Sequence, residues 1–215
     1  GARSLNIHWA QEMFDQGGIV REHVKWDYEL RAASQLEVVL DRALAIANTE
    51  PAGPVYLTLP REVLAEPAAV LASPGAALMA PAAARLPDPG AIERAAQILA
   101  QAENPLIITS RAGREPQAVP LLAALAERYA LPVVEYRPKH LSLASDHPMH
   151  GGYETDPWLA SADAILVLDC DVPWIPSIRQ PRPEVPVIQV GIDPLFSRYP
   201  VRGFRSDVTI AGSSQ

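Results

Sequence analysis

Four stretches of this 215-residue chain place ligand-competent side chains directly after apolar runs: Ser110-Arg111-Ala112-Gly113, Tyr136-Arg137-Pro138-Lys139-His140, Asp169-Cys170-Asp171 and Gly191-Ile192-Asp193-Pro194. A glycine-containing turn ahead of a helix lets a phosphate approach and presents free backbone N–H groups to it. Ser110, Arg111 and Gly113 are therefore candidates for holding a nucleotide, and Asp193 for its ribose. Gly113 stands alone rather than in a G-x-G-x-x-G run, so the same residues also suit a plain strand-to-helix turn. Asp193-Pro194 equally suits the start of a turn.

Other chemistries find less support. His8, His23, His140, His147 and His150 lack the i, i+4 or H-E-x-x-H spacing of a metal site. No G-x-S-x-G elbow occurs. Cys170, at a strand end, reads as a small buried hydrophobe rather than a nucleophile. Trp9, Trp26, Trp158 and Trp174 lie on different elements and read as packing anchors, and Arg137 and Lys139 as surface charges.

These stretches need a scaffold, and the periodicity supplies one. Asp88-Pro89 opens a helix with Ile92, Ala95, Ala96, Leu99 and Ala100 on one face. Strand 106–109, helix 117–129, strand 131–136, a short helical stretch at 158–162, and strands 164–168, 187–192 and 208–210 follow. Continuous apolar strands alternating with helices imply an α/β fold: a Rossmann-like, doubly wound parallel sheet covered on both faces. Ligands of such sheets bind at the carboxyl ends of the strands, near a switch in strand order.

Upstream, Ser34 and Glu37 have capping-box spacing ahead of a helix to Asn48, with Leu36, Val39, Leu40, Ala43, Leu44 and Ala47 forming a stripe. Val55-Tyr56-Leu57-Thr58-Leu59 reads as a strand closed by Pro60. Prolines number 22, roughly twice average usage, and they crowd the interval 67–89. The expected organisation is a partial α/β domain over 1–65, a Pro/Ala-rich linker over 66–87 and the Rossmann-like domain over 88–215.

Composition narrows the function class. A net charge of −7 and a pI near 5.2 oppose a nucleic-acid-binding surface. No run reaches the roughly 18 apolar residues of a membrane span, and no secretion-signal pattern opens the chain. The single cysteine precludes an internal disulfide framework. The default expectation is a cytoplasmic protein without nucleic-acid or membrane partners.

Gln11-Glu12, Asp15, Ile19-Val20-Arg21 and Lys25-Trp26 resemble the "QE…D…IxR…KW" segment of thiamine-diphosphate enzymes of the acetolactate synthase group. Gly53-Pro54-Val55-Tyr56-Leu57-Thr58-Leu59-Pro60-Arg61-Glu62-Val63 resembles their "GPVxLxxPxDV" close of the pyrimidine-binding domain. His147-Pro148-Met149-His150-Gly151-Gly152 resembles their "HP…GMHG" loop, and Val190-Gly191-Ile192-Asp193 their "xIDID" strand end. The segment 202–212 is similar to the usual end of the central domain. The resemblance covers nearly the whole chain.

It implies the end of a pyrimidine-binding domain followed by a central domain. It also implies a lyase or transferase acting on a 2-oxo acid, with thiamine diphosphate and Mg²⁺, built as a homodimer or homotetramer. It adds Met149, His150 and Gly151 to the nucleotide-binding candidates and makes Gln11 and Lys25 candidates for the substrate channel. The family's catalytic glutamate and its "GDG…N" metal loop have no counterpart among these residues, so the chain is expected to be an inactive fragment with no catalytic residue or metal site. Residues 1–65 are expected to need packing onto the rest or onto another chain. The alternative is a non-catalytic adenine-nucleotide-binding or structural module.

Family central domains bind FAD, another adenine nucleotide, or nothing. Here the family's "GxRFDDR" is replaced by Asp169-Cys170-Asp171-Val172-Pro173-Trp174-Ile175, and Ala10 stands where Phe is usual. Carboxylates beside a diphosphate are costly, so tightly bound FAD is not expected, and acetolactate synthesis itself is in question beside a related decarboxylase or ligase.

Overall fold

The computed structural model describes residues 13–67, 79–83 and 85–213. The chain forms two compact units, Gly1–Ala83 and Ala84–Gln215. The division falls inside the interval expected to be a linker, much of which lies outside the described residues.

In the first unit, β1 (Trp26–Glu29) pairs in parallel with β2 (Val55–Thr58), and α1 (Leu36–Asn48) connects them. A short helix α2 (Arg61–Leu64) follows. Leu30, Val39 and Val63 form a small buried core, against which Trp26, Tyr28, Leu36 and Leu57 pack. Of the expected helix stripe, Val39 and Ala43 are buried, whereas Leu40 and Leu44 are exposed. No apolar run announces strand β1. Its Trp26 and Tyr28, two residues apart and so on one face, stack with ring centroids 5.6 Å apart.

The start of α1 differs from the capping-box expectation. Ser34 lies within a 3₁₀ turn, Ala33–Gln35, and Gln35 is the cap residue, with no side-chain hydrogen bond. The i→i+3 bond from the Gln35 N–H to the Ala32 carbonyl tightens the entry. The Ala33 N–H donates instead to the Glu66 carboxylate, at 2.9 Å.

The second unit holds a five-stranded parallel sheet in the order β4-β3-β5-β6-β7. Its strands are β3 (Pro105–Thr109), β4 (Val133–Glu135), β5 (Ala164–Leu168), β6 (Val187–Gly191) and β7 (Val208–Ala211). Helices α3 (Pro89–Gln101), α4 (Ala118–Tyr129) and α5 (Asp156–Leu159) cover it. Asp88 caps α3 by accepting from the Ala91 N–H at 2.8 Å, with Pro89 at the first helical position. The buried face of α3 is Ala91, Ala95, Ile98 and Leu99 rather than the stripe through Ile92, Ala96 and Ala100. Small residues at 91 and 95 let the helix sit close to the sheet, and Ile92 is turned outward.

The alternation along the strands assigns the two faces. Ile107, Val133, Leu166 and Ile188 join Ala91, Leu122 and Ala126 on one side. Leu106, Ile108, Val134, Ile165 and Val187 join Leu159 and Trp174 on the other. The fold is thus the doubly wound α/β arrangement that the apolar runs imply. Strand order reverses direction between β3 and β5, which neighbour each other although β4 intervenes in sequence. Among the described residues, no helix is long and apolar enough to cross a membrane.

Candidate functional site

The switch point between β3 and β5 brings Ser110 and Asp169 together, one residue beyond each strand. The Ser110 hydroxyl donates to the Asp169 carbonyl at 3.0 Å. The Ser110 carbonyl accepts from the Lys139 and His140 N–H groups, at 2.7 and 3.3 Å, which draws the loop after β4 over the same point. Three non-glycine residues of this edge, Arg137, Asp169 and Phe196, have φ of 48°, 47° and 50°, a conformation that only a well-determined surround maintains.

Asp171 is the hub of the edge. Its Oδ2 accepts from Lys139 Nζ at 2.8 Å and from the Tyr199 hydroxyl at 3.3 Å. Arg202 donates through Nε to the Asp171 carbonyl at 3.1 Å, and through Nη2 to the Cys170 carbonyl and Gln189 Oε1, at 3.3 and 3.2 Å. The Arg202 guanidinium also lies 4.8 Å from the Phe196 ring centroid, and Arg111 lies 5.3 Å from the same ring.

Burial pushes the Asp171 carboxyl up, but the Lys139 ammonium, by hydrogen bond and by charge, acts together with the Val172 N–H and the Arg111 charge to hold it below the ordinary aspartate range. A depressed carboxyl contributes stability above its unfolded value of about 3.9 and loses it as pH falls through the folded value. Burial pushes the Cys170 thiol up to about 11, so it stays protonated and unreactive at neutral pH. Burial likewise lowers the Arg202 guanidinium from its usual range.

The sequence candidates divide accordingly. Ser110, Arg111, Gly113 and Asp193 all lie at the carboxyl edge of the sheet. Gly113 faces the chain itself: a Cβ there would overlap the Leu141 carbonyl oxygen. The Asp193 carboxylate accepts from the Ser197 N–H and hydroxyl, both at 2.9 Å, and so shapes its own turn.

Met149, His150 and Gly151 run as an extra edge beside β4. The Val133 N–H donates to the Met149 carbonyl and the Gly151 N–H to the Val133 carbonyl, at 2.9 and 2.7 Å. His150 Nε2 meets buried Glu135 Oε2 at 3.0 Å, while its Nδ1 accepts from the Gly152 N–H at 3.2 Å. Nδ1 is therefore the unprotonated nitrogen and Nε2–H the donor to Glu135. The Gly151 carbonyl accepts from Trp158 Nε1 at 2.9 Å. These three residues hold the sheet edge together rather than converge on the switch point.

In the first unit, the Lys25 ammonium donates to the Ile46 carbonyl at 2.6 Å and to the Thr49 carbonyl. It thereby satisfies carbonyls at the C-terminus of α1, where a cation is favoured. Gln11 lies outside the described residues. Sequence reasoning gives no site role to Lys139, Phe196, Tyr199 or Arg202. The one available hint is the crowding of aromatic and arginine residues between 196 and 204.

Residues 92–211 match the family model described as "Thiamine pyrophosphate enzyme, central domain". The chain belongs to the thiamine pyrophosphate enzymes. Oxalyl-CoA decarboxylase of Escherichia coli strain K12 is 28% identical over 166 residues, which is 76% of this chain and 29% of that protein. The acetolactate synthase large subunit of Buchnera aphidicola subsp. Schizaphis graminum is 23% identical over 229 residues, 100% of this chain and 39% of that protein. The solved benzoylformate decarboxylase of Polynucleobacter necessarius superposes with a TM-score of 0.70 at 25% identity, over 89% of this chain and 36% of that one. The chain spans less than two fifths of the length of these relatives.

Proposed function

We propose that this chain serves within a thiamine-diphosphate-dependent enzyme acting on 2-oxo acids, as a decarboxylase or an acetolactate-synthase-like carboligase. Residues 88–215 would be its central domain and residues 1–65 part of its pyrimidine-binding domain. The family match over 92–211 carries this reading. The names of the relatives, decarboxylases and acetolactate synthases, support this reaction class.

Thiamine diphosphate supplies the carbanion chemistry when bound, and the protein supplies binding, orientation and charge. The described residues do not fit the diphosphate and Mg²⁺: they contain no group of three or more His, Cys, Asp or Glu able to hold a metal ion, and the sequence has no Gly-Asp-Gly. No chemical step is therefore assigned to these side chains. Their part is to set the distance and orientation of the domains that carry the cofactor, in a homodimer or homotetramer.

The test compares two polypeptides supplied with thiamine diphosphate, Mg²⁺ and a panel of 2-oxo acids. The polypeptide in which this chain naturally occurs should release CO₂ in a cofactor-dependent manner, and the 215 residues alone should not. Cofactor-independent release, or none from the natural polypeptide with any 2-oxo acid, would contradict the reading.

A further inference from the structure

The crevice at the carboxyl ends of β3 and β5 is where an open parallel sheet takes a ligand, and here the chain's own atoms stand in it. Gly113, after β3, and Gly191, at the end of β6, are covered. The Leu141 carbonyl oxygen occupies the space of a Gly113 Cβ, and Asp169 Oδ1 lies 2.7 Å from the position of a Gly191 Cβ. The Gly113 N–H, which a phosphate would need, is itself taken by the Ser142 hydroxyl at 3.2 Å.

The cations are occupied as well. Lys139 pairs with Asp171, whose side chain is 17% exposed. Arg202 holds three acceptors, and Arg111 shares the Phe196 ring with it. Asp169, Asp171 and Asp193 stand among the cations of these strand ends, and carboxylates there oppose the approach of a diphosphate.

We propose that this crevice is self-occupied. Asp171 takes the place of a ligand's anionic group for Lys139, backbone carbonyls and Gln189 take that place for Arg202, Phe196 takes the place of a planar base for Arg111 and Arg202, and the central domain holds no adenine nucleotide. The inference rests on the edge geometry and not on the proposed substrate class. It assigns Asp171 a definite role, a built-in counter-anion that orders the loops carrying Lys139 and residues 196–202.

The experiment follows thermal unfolding of the 215-residue chain with ADP, FAD or inorganic pyrophosphate, for the wild type, Asp171→Ala and Asp171→Asn. The wild-type midpoint should not move with any of these ligands. Both variants should melt lower, and pyrophosphate should bind them about tenfold more tightly than the wild type, raising their midpoints by linkage. Asp171→Asn keeps the side-chain shape and serves should the alanine variant fail to fold. A wild-type midpoint raised by ADP or FAD would overturn the proposal. So would variants that bind pyrophosphate no more tightly than the wild type.

Discussion

Gly113→Ala will destabilise the protein by about 3 kcal/mol or more, toward the upper end of what overpacking costs. The reason is local. The added methyl would overlap the Leu141 carbonyl oxygen and sit 2.6 Å from its carbon, and both are backbone atoms. That backbone cannot retreat easily, because the next residue is tied on both sides: the Ser142 N–H donates to Glu135 at 2.6 Å, and its hydroxyl accepts from the Gly113 N–H at 3.2 Å. Urea denaturation followed by circular dichroism should show a lowered midpoint with an unchanged slope. Gly191→Ala offers the contrast, since its nearest neighbour is a side-chain oxygen of Asp169 that can rotate. A Gly113→Ala protein as stable as the wild type would mean that the loop 139–143 does not lie against the turn after β3.

Glu135→Ala should cost about 3 kcal/mol or more, because several buried N–H donors lose their acceptor together. Glu135 Oε1 accepts from the N–H groups of Ser142 and Leu143, at 2.6 and 3.4 Å, and Oε2 meets His150 Nε2. Truncation would orphan all of these buried donors at once, each costing roughly 1–3 kcal/mol of desolvation. Glu135→Gln should cost less, because its amide oxygen still accepts from Ser142. Its amide nitrogen, however, presents a donor to a histidine nitrogen that is itself a donor, so the loss should not vanish. Both variants are compared by urea denaturation at neutral pH. Equal stability of the alanine variant and the wild type would show that the pair does not join the β4 edge to the 139–143 loop.

Much of the scaffold was legible because burial on both faces writes itself as unbroken apolar strands. Leu106–Thr109 and Ala164–Leu168 are such runs, and each lies in a strand of the parallel sheet. Asp88-Pro89 marked the start of α3 because a cap and a fixed φ act over a single turn. Strand β1 was not legible because Asp27 and Glu29 alternate with Trp26 and Tyr28, so no unbroken apolar run marks its four residues, which are only partly covered. The face of α3 differs from the expected stripe because alanine-rich helices give several stripes of similar hydrophobicity, and only the sheet chooses among them.

The position of the candidate residues was legible, but not what they touch. Strand ends put Ser110, Arg111, Gly113 and Asp193 at the carboxyl edge of the sheet, where the structure has them. What each one touches depends on groups far away in sequence. Lys139 reads as a surface charge until Asp171, 32 residues on, is seen beside it. Gly113 reads as an opening for phosphate until Leu141 fills it. His150 reads as a loop residue until buried Glu135 is found facing it. The resemblance to acetolactate synthases named the family, whereas the occupancy of the crevice needed coordinates.

The measurement that bears most directly on this account is an experimental structure of the 215-residue chain in crystals soaked with ADP and with FAD. The account predicts Lys139 Nζ within hydrogen-bonding distance of Asp171, Arg202 against Phe196, and no nucleotide density over Gly113 or Gly191. A nucleotide lying across those two glycines, with Asp171 swung away from Lys139, would contradict it.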